Sequence, residues 1–353
     1  MGTNILDIPT PICYIVSMET PKTLQEAIQY FSDEQVCIDA VALMRWPDGP
    51  ECPDCRGEDK KNPMWLNTQK RWKCRSCRRQ FSVKVGTIFE DSPIPLTKWL
   101  PALWMMCNCK NGVSSWELHR SLGITQKSAW FVGQRLRLAL KNKSLFKMGQ
   151  DGGPVEVDET WVGGRVHNMH KSKRVELESI RSNQIEGRNR GLNKTIVMGV
   201  LDRDMRQVRA KVVPDVKRET LQTEVLKQVK YGSKVYTDEH VGYDSLHCRF
   251  VHDVVNHSIE YVNGQVHTQG IENFWSLLKR TLRGTYVAVE PYHLDRYLDE
   301  QMFRYNNRAT KDNPLNDADR FVAALAQVAG RRLTYKELTG KTDEAAATTP
   351  ETF

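Results

Sequence analysis

An α/β fold is predicted for this chain: a mixed sheet flanked by helices in the C-terminal half, preceded by a small cysteine-rich module and a helical region. Three observations carry that expectation. Two Cys-x-x-Cys pairs lie close together near the N-terminus, helical periodicity runs from Leu96 to Leu140, and strand-like alternation begins at Val155 after the turn-rich Asp151-Gly-Gly-Pro154. From Thr195 onward the order is strand, strand, helix, strand, strand, helix.

At 353 residues the chain exceeds a usual single domain, and 40% hydrophobic content can fill two or three cores. The net charge is +8, and ten Lys/Arg between Arg56 and Lys84 against Glu58 and Asp59 equal that whole excess. A local basic patch of this kind suits a polyanion. No apolar run approaches the roughly 20 residues of a membrane helix, and the densest, Trp99 to Cys107, contains Pro101. No basic-then-apolar leader pattern opens the sequence, so the nine cysteines are expected in a reducing, cytoplasmic setting where regular thiol spacing favours metal.

Taken in order, Met1 to Lys22 has no period. Thr23 to Arg45 forms one or two short helices, closed by Trp46-Pro-Asp-Gly-Pro50. The cysteine-rich segment reaches about Phe89, and Leu96 to Leu140 forms helices broken near Asn111-Gly112 and Gly123. Strands follow at Val155–Val162, Thr195–Leu201 and Gln207–Val213. Next come a helix at about Val216–Val229, strands at Lys234–Thr237 and Val251–Val262, and helices at Gln269–Leu282, Tyr292–Asn307 and Ala318–Leu333. A basic insert spans Arg165 to Lys194, and the Ala/Thr-rich tail after Gly340 is expected to be disordered. The domains are set at 1–48 (arm and helices), 49–90 (cysteine module), 91–150 (helical region), 151–310 (sheet domain) and 311–353 (C-terminal helix and tail).

Cys52-Pro-Asp-Cys55 and Cys74-Arg-Ser-Cys77 are separated by 18 residues, the spacing of a four-cysteine zinc ribbon. Closed thiolate ligation makes such a zinc structural, tying together hairpins with little core of their own. Arg75, Arg78 and Arg79 crowd the second knuckle beside Trp72 and Phe81, and are expected to contact DNA phosphates. Val113 to Arg137 has the helix-turn-helix layout, with the turn at Gly123 and a second helix capped by Thr125. Its Gln126, Lys127, Ser128 and Gln134 are expected to face outward, and Lys127 and Arg135 to contact DNA.

Asp158 lies in the first strand of the sheet, Asp238 ends Lys234-Val-Tyr-Thr-Asp238, and Glu272 follows after 33 intervening residues on the Gln269 helix. An RNase H-like fold gathers acids from these places, and carboxylates suit Mg²⁺ or Mn²⁺. Two such ions about 4 Å apart serve in-line phosphodiester displacement. Lys279 lies two helical turns beyond Glu272 on the same face, in place to grip a phosphate, and Arg280 adds a further DNA contact. By strand alternation Glu159 points away from Asp158, whereas Glu156 shares its face and is placed to assist it. Trp275 and Tyr286 are expected in the core, and His240, His257 and His267 as structural or DNA-facing residues.

Together with the ribbon, Val155-Glu-Val-Asp-Glu-Thr-Trp-Val-Gly-Gly164, Tyr236-Thr-Asp-Glu239, Glu272-Asn-Phe-Trp-Ser-Leu-Leu-Lys-Arg280, Gly284-Thr-Tyr286 and Phe303-Arg-Tyr-Asn-Asn307 resemble the zinc-ribbon insertion-sequence transposases of the DDE class (ISXO type), which are similar to Merlin transposases. The resemblance spans roughly Thr23 to Arg308. It implies an RNase H-like catalytic domain, binding of terminal inverted repeats, strand cleavage by water, and attack of the freed 3′-hydroxyl on target DNA. Its first two acids fall on Asp158 and Asp238; the third falls on Glu272 or on the adjacent Asn273. Duplex DNA, as transposon ends and target, and other copies of the chain are the implied partners, in a nucleoid setting if the source is bacterial. A nuclease that cuts without joining, and a DNA-binding regulator derived from a transposase, are the alternatives.

Overall fold

The computed structural model describes residues 21–55, 63–142, 144, 146–164, 169–172, 174–175, 194–255, 267–311 and 313–340. The N-terminal arm before residue 21, most of the basic insert, His257 and the tail after Gly340 lie outside the described residues. The chain divides into two units, one formed by Met1–Lys141 with Ala309–Phe353 and the other by Asn142–Arg308.

In the first unit α1 (Leu24–Tyr30) and α2 (Glu34–Arg45) are separate helices, because the side chains of Thr23 and Asp33 each accept from a first-turn amide and so begin a helix. Strands β1 (Met64–Leu66), β2 (Arg71–Lys73) and β3 (Gln80–Phe81) make an antiparallel sheet in sequence order. Its core is aromatic: the Trp72 ring lies 4.6 Å from Trp65 and 5.2 Å from Trp46. Helix α3 (Leu96–Asn108) precedes α4 (Ser115–Leu122) and α5 (Gln126–Leu140). Ser114 and Glu117 form a capping box at the start of α4, and Gly123 ends that helix at φ 60°, where a side chain would be strained. Thr125 then caps α5 as expected.

The second unit is built on one five-stranded sheet of β4 (Pro154–Val162), β5 (Thr195–Asp202), β6 (Gln207–Val213), β7 (Lys234–Asp238) and β8 (Val251–Val255). The order is β6-β5-β4-β7-β8, with β5 antiparallel to both its neighbours, β4 and β6, and β4, β7 and β8 parallel. Helix α6 (Arg218–Gln228) covers one face, packing Leu221 and Val225 with Val155, Val157, Val200 and Val235. Helices α7 (Gln269–Thr281) and α8 (Leu294–Asn306) share a core with Val197, Leu201 and Val208 through Ile271, Phe274, Leu278 and Leu298. Each such buried side chain contributes about 1.5–3 kcal/mol. The strand expected over Val251–Val262 is described to Val255, and α7 runs on into a π-helical turn at Leu282–Tyr286. This mixed sheet with helices on both faces is the expected RNase H-like architecture.

The chain then returns to the first unit as α9 (Asp317–Leu325) and α10 (Tyr335–Leu338). Phe321 of α9 packs 5.3 Å from both Phe31 and Trp104. The helix expected over Ala318–Leu333 stops at Leu325, because the following backbone finds other partners. Val328 accepts from the amide of Ile88 at 3.1 Å, and Gly330 donates to Gly86 at 2.9 Å.

Candidate active site

Strand pairing brings the two aspartates together. Pro154 stands opposite Lys234, Val155 opposite Val235 and Glu156 opposite Tyr236 in the parallel ladder. Two residues beyond the last pair on each strand, Asp158 and Asp238 lie on the face turned to α7, near enough for the charge of Asp238 to act on Asp158. Burial, then the charge of Asp238, pushes the Asp158 carboxyl up to about 6, and Glu272 adds to the rise. The Trp275 indole N–H, 2.9 Å from Oδ2, and the Glu159 amide, 2.8 Å from Oδ1, pull it back. Asp238 has a buried Oδ1 without a hydrogen-bond partner. An unsatisfied buried oxygen costs about 1–3 kcal/mol, and a hard divalent cation is a chemically suitable partner for it.

Trp275 reaches Asp158 because of the residue opposite. Gly199 pairs with Asp158 across β5, and a Cβ there would lie 2.6 Å from the indole ring. The expectation that Trp275 is core holds, since it is buried. Its hydrogen bond to the first acid has no signal in the sequence.

Helix α7 carries the rest of the site. Glu272, Trp275 and Lys279 lie along one face at spacings of three and four residues. The Thr268 hydroxyl donates to Glu272 Oε1 at 3.2 Å. Burial and then Arg283 hold the Lys279 ammonium below the usual lysine range, while Asp158 pulls it up. Asn273 is exposed, turned about 100° around the helix from Glu272. The carboxylates of Asp158, Asp238 and Glu272 do not all come within 4.8 Å of one another.

Glu156 requires a correction. It lies on the Asp158 face as expected, but both its carboxylate oxygens are hydrogen-bonded away from Asp158. Oε1 accepts from Arg203 Nε at 2.6 Å, and Oε2 accepts from the backbone N–H of Ile271 at 2.8 Å. It thereby caps α7, whose own N-cap residue, Thr268, makes no side-chain cap bond. Gly270 leaves it room, since a Cβ there would lie 2.9 Å from Oε2. Arg203 also donates to the His267 carbonyl and lies 4.8 Å from the centre of the Tyr236 ring. Glu159 points to the opposite face as expected, where Tyr243 donates to it. Burial first, then Asp158 and Asp238, push its carboxyl up to about 8. His240 is structural, its Nδ1 accepting from the Gly242 amide at 3.1 Å.

The four ribbon cysteines bring their sulfurs within 4.8 Å of one another, with Cys52 to Cys77 at 3.7 Å and Cys55 to Cys74 at 3.9 Å. Tetrahedral Zn–S bonds of about 2.3 Å require sulfurs about 3.8 Å apart, so the four fit zinc. The Cys77 and Ser76 amides draw the Cys74 thiol down to about 6, whereas burial raises Cys52 and the Cys77 sulfur raises Cys55.

Of the residues expected on DNA, Arg75, Arg78, Arg79, Lys127 and Arg280 are exposed. Arg79 is paired with Asp54 at 2.8 Å, and the Lys127 ammonium lies 5.0 Å from the centre of the Tyr335 ring. Arg135 is not on the surface. It is buried, donating to the carbonyls of Leu333, Ile88 and Glu90, so it braces the fold instead. Gln134, expected outward, is also buried. Much of α5 from Ala129 onward packs inside its unit, and Lys127 in its first turn is exposed.

Two aspartates side by side on the central strands of an RNase H-like sheet, in a chain that also carries a four-cysteine ribbon, have the layout of a DDE-class transposase. Comparison with known proteins agrees: residues 151–306 match the ISXO2-like transposase domain, and residues 32–80 match the transposase zinc-ribbon domain. The chain belongs to the zinc-ribbon, ISXO2-like transposase family. It is 28% identical over 290 residues to an uncharacterized protein in transposable element ISH50 of Halobacterium salinarum, covering 78% of this chain and 94% of that one. A chain from the simian T-cell lymphotropic virus intasome in complex with the PP2A regulatory subunit B56 gamma aligns at 12% identity over 56% of this chain and 66% of its own, with a TM-score of 0.26. That score is too low to establish a shared overall arrangement. Among the described residues no helix is long and apolar enough to cross a membrane.

Proposed function

We propose that this transposase binds the terminal inverted repeats of an insertion sequence as duplex DNA, cuts a strand with water, and joins the freed 3′-hydroxyl to target DNA. Asp158, Asp238 and Glu272 are the acids that hold the metal. The reading is carried by the buried, unpartnered Oδ1 of Asp238 beside Asp158, an oxygen suited to a cation. Mg²⁺ or Mn²⁺, two ions per site, supplies activation of the attacking oxygen and neutralisation at the leaving oxygen.

The chain's own residues orient the rest. The Trp275 N–H fixes the Asp158 carboxylate, and Glu156 holds α7 by its N-terminus so that Glu272 and Lys279 keep their distance from β4. Lys279 contacts the phosphate at the cut. Zinc in the ribbon orders Arg75, Arg78 and Arg79 for backbone phosphates, with Lys127 and Arg280 as further contacts. Holding two DNA ends at once calls for a homo-oligomer.

The test is a cleavage and joining assay on labelled DNA carrying the element's own ends with Mg²⁺. Asp158→Ala, Asp238→Ala and Glu272→Ala are expected to lower product at least about a hundredfold while DNA binding persists, and Asn273→Ala to stay within a few fold of wild type. A wild type that binds the ends and never cuts would instead make the chain a DNA-binding regulator; cutting without joining would make it a nuclease.

A further inference from the structure

Helix α7 ends in an unusual way. After the π-helical turn at Leu282–Tyr286, Val287 takes φ 63° and ψ −58°, and the Ala288 amide donates to the Tyr286 carbonyl at 2.7 Å. This is the γ-turn of positive φ, a rare and strained conformation, and a β-branched residue is among the least suited to it. Its side chain gains nothing from burial, because Val287 is 79% exposed, more than any other large apolar residue described.

Both flanks hold the strain in place. The Tyr286 hydroxyl donates to the buried Glu300, which is paired with Arg304, and the Tyr286 ring meets Tyr297 edge-on at 4.7 Å. Val289, on the other side, packs against the same core. Anchors on both sides leave Val287 pushed into solvent, and strain kept in this way marks functional sites.

The approach to this tip is cationic. Lys279, on the helix face that carries Trp275, is followed one turn on by Arg283, and Arg280 and Arg283 are exposed on the last turns before Val287. A basic strip therefore leads from the first acid to an apolar tip. Such a strip suits a nucleic-acid backbone, and an apolar side chain at its end suits the gap between unstacked bases.

We infer that Val287 is a wedge that enters the DNA end beside the cleavage site and holds the terminal base pair open, with Arg283 on the adjoining phosphate. This rests on the reading of the chain as a DNA-cutting transposase.

The probe is a duplex bearing the element's own end, with 2-aminopurine at the terminal pair. It is bound by the full chain in Ca²⁺ for fluorescence and in Mg²⁺ for cleavage. Wild type is expected to raise the fluorescence severalfold, and Val287→Leu to keep that rise. Val287→Gly is expected to abolish it and to cut the paired end about tenfold more slowly. It is also expected to recover on an end whose terminal pair is mismatched beforehand. Glycine accepts positive φ, so the same variant is expected to melt higher than wild type, which separates a wedge from a structural prop. Equal fluorescence in Val287→Gly and wild type, or equal loss on paired and mismatched ends, would overturn the wedge. If wild type cuts neither end, the catalytic reading fails, while the fluorescence of the bound complex still decides the wedge. If wild type binds no DNA, both fall.

Discussion

The backbone N–H of Ile271 donates to the buried carboxylate of Glu156 at 2.8 Å, across 115 residues of chain. The strand that bears the first acid thus caps the helix that bears Glu272. Removing that carboxylate leaves Arg203 without its buried partner and the α7 amide without an acceptor. Glu156→Ala is expected to lower unfolding free energy by about 3–5 kcal/mol, as for one half of a buried ion pair, measured by urea denaturation. Glu156→Gln keeps an acceptor for Ile271 and is expected to lose less. A Glu156→Ala protein as stable as wild type would refute the cap.

Gly199→Ala is expected to push Trp275 off Asp158, at an overpacking cost of about 1–3 kcal/mol. Because the indole hydrogen bond lowers the Asp158 pKa, both Gly199→Ala and Trp275→Phe should raise it further. Infrared titration of that carboxyl in zinc-loaded protein free of other divalent ions reads the shift.

Stability should depend on pH in a definite direction. Asp158 and Glu159 are pushed up to about 6 and about 8, so between the unfolded carboxylate range and those values the native state binds more protons than the unfolded one. Stability then falls as pH rises. Without catalytic metal, melting temperature is expected to decline from about pH 4 to pH 8, the window between ordinary carboxylate values and these two. Asp158→Asn should make the lower half of that decline shallower, and Glu159→Gln should flatten the upper half and lessen the lower. A melting temperature that climbs through this range would exclude the arrangement.

Arg135→Ala is expected to destabilise the first unit by several kcal/mol, at about 1–3 kcal/mol for each carbonyl left unpaired. The salt dependence of DNA binding should stay unchanged. Arg75→Ala should do the reverse, leaving the melting temperature in place and reducing the slope of log affinity against log salt by about 0.9 for one lost phosphate contact.

Cys52→Ser or Cys77→Ser is expected to drop bound zinc from about one ion per chain to near none by atomic absorption and to weaken end binding. Zinc content unchanged by both substitutions would rule out four-cysteine ligation.

Much of this was legible in the sequence for local reasons. The strand alternation, the Gly123 turn, the Thr125 cap and the cysteine spacing each depend on residues close together in the chain. Asp158 and Asp238 were legible because strand position sets which way a carboxylate points. What stayed hidden depends on distant partners. Nothing near Glu156 announces Arg203 or Ile271, and Arg135 looks like a surface cation until the carbonyls of Ile88, Glu90 and Leu333 close around it. The stop at Leu325 was equally hidden, since it follows from pairing with Gly86 and Ile88.

The parallel ladder between β4 and β7 separates two kinds of change in the gene. Parallel strands cannot be joined by a tight turn, so β5, β6 and α6 all lie between the two aspartates in the chain. Lengthening the insert between β4 and β5 adds only about 0.6 kcal/mol of closure entropy per doubling and leaves the ladder untouched. Deleting a single residue within Lys234–Asp238 would turn the last carboxylate to the α6 side. On the proposed function, sister elements can therefore differ widely in the length between their acids and still cut, while an in-frame loss of one codon inside β7 is expected to silence a copy.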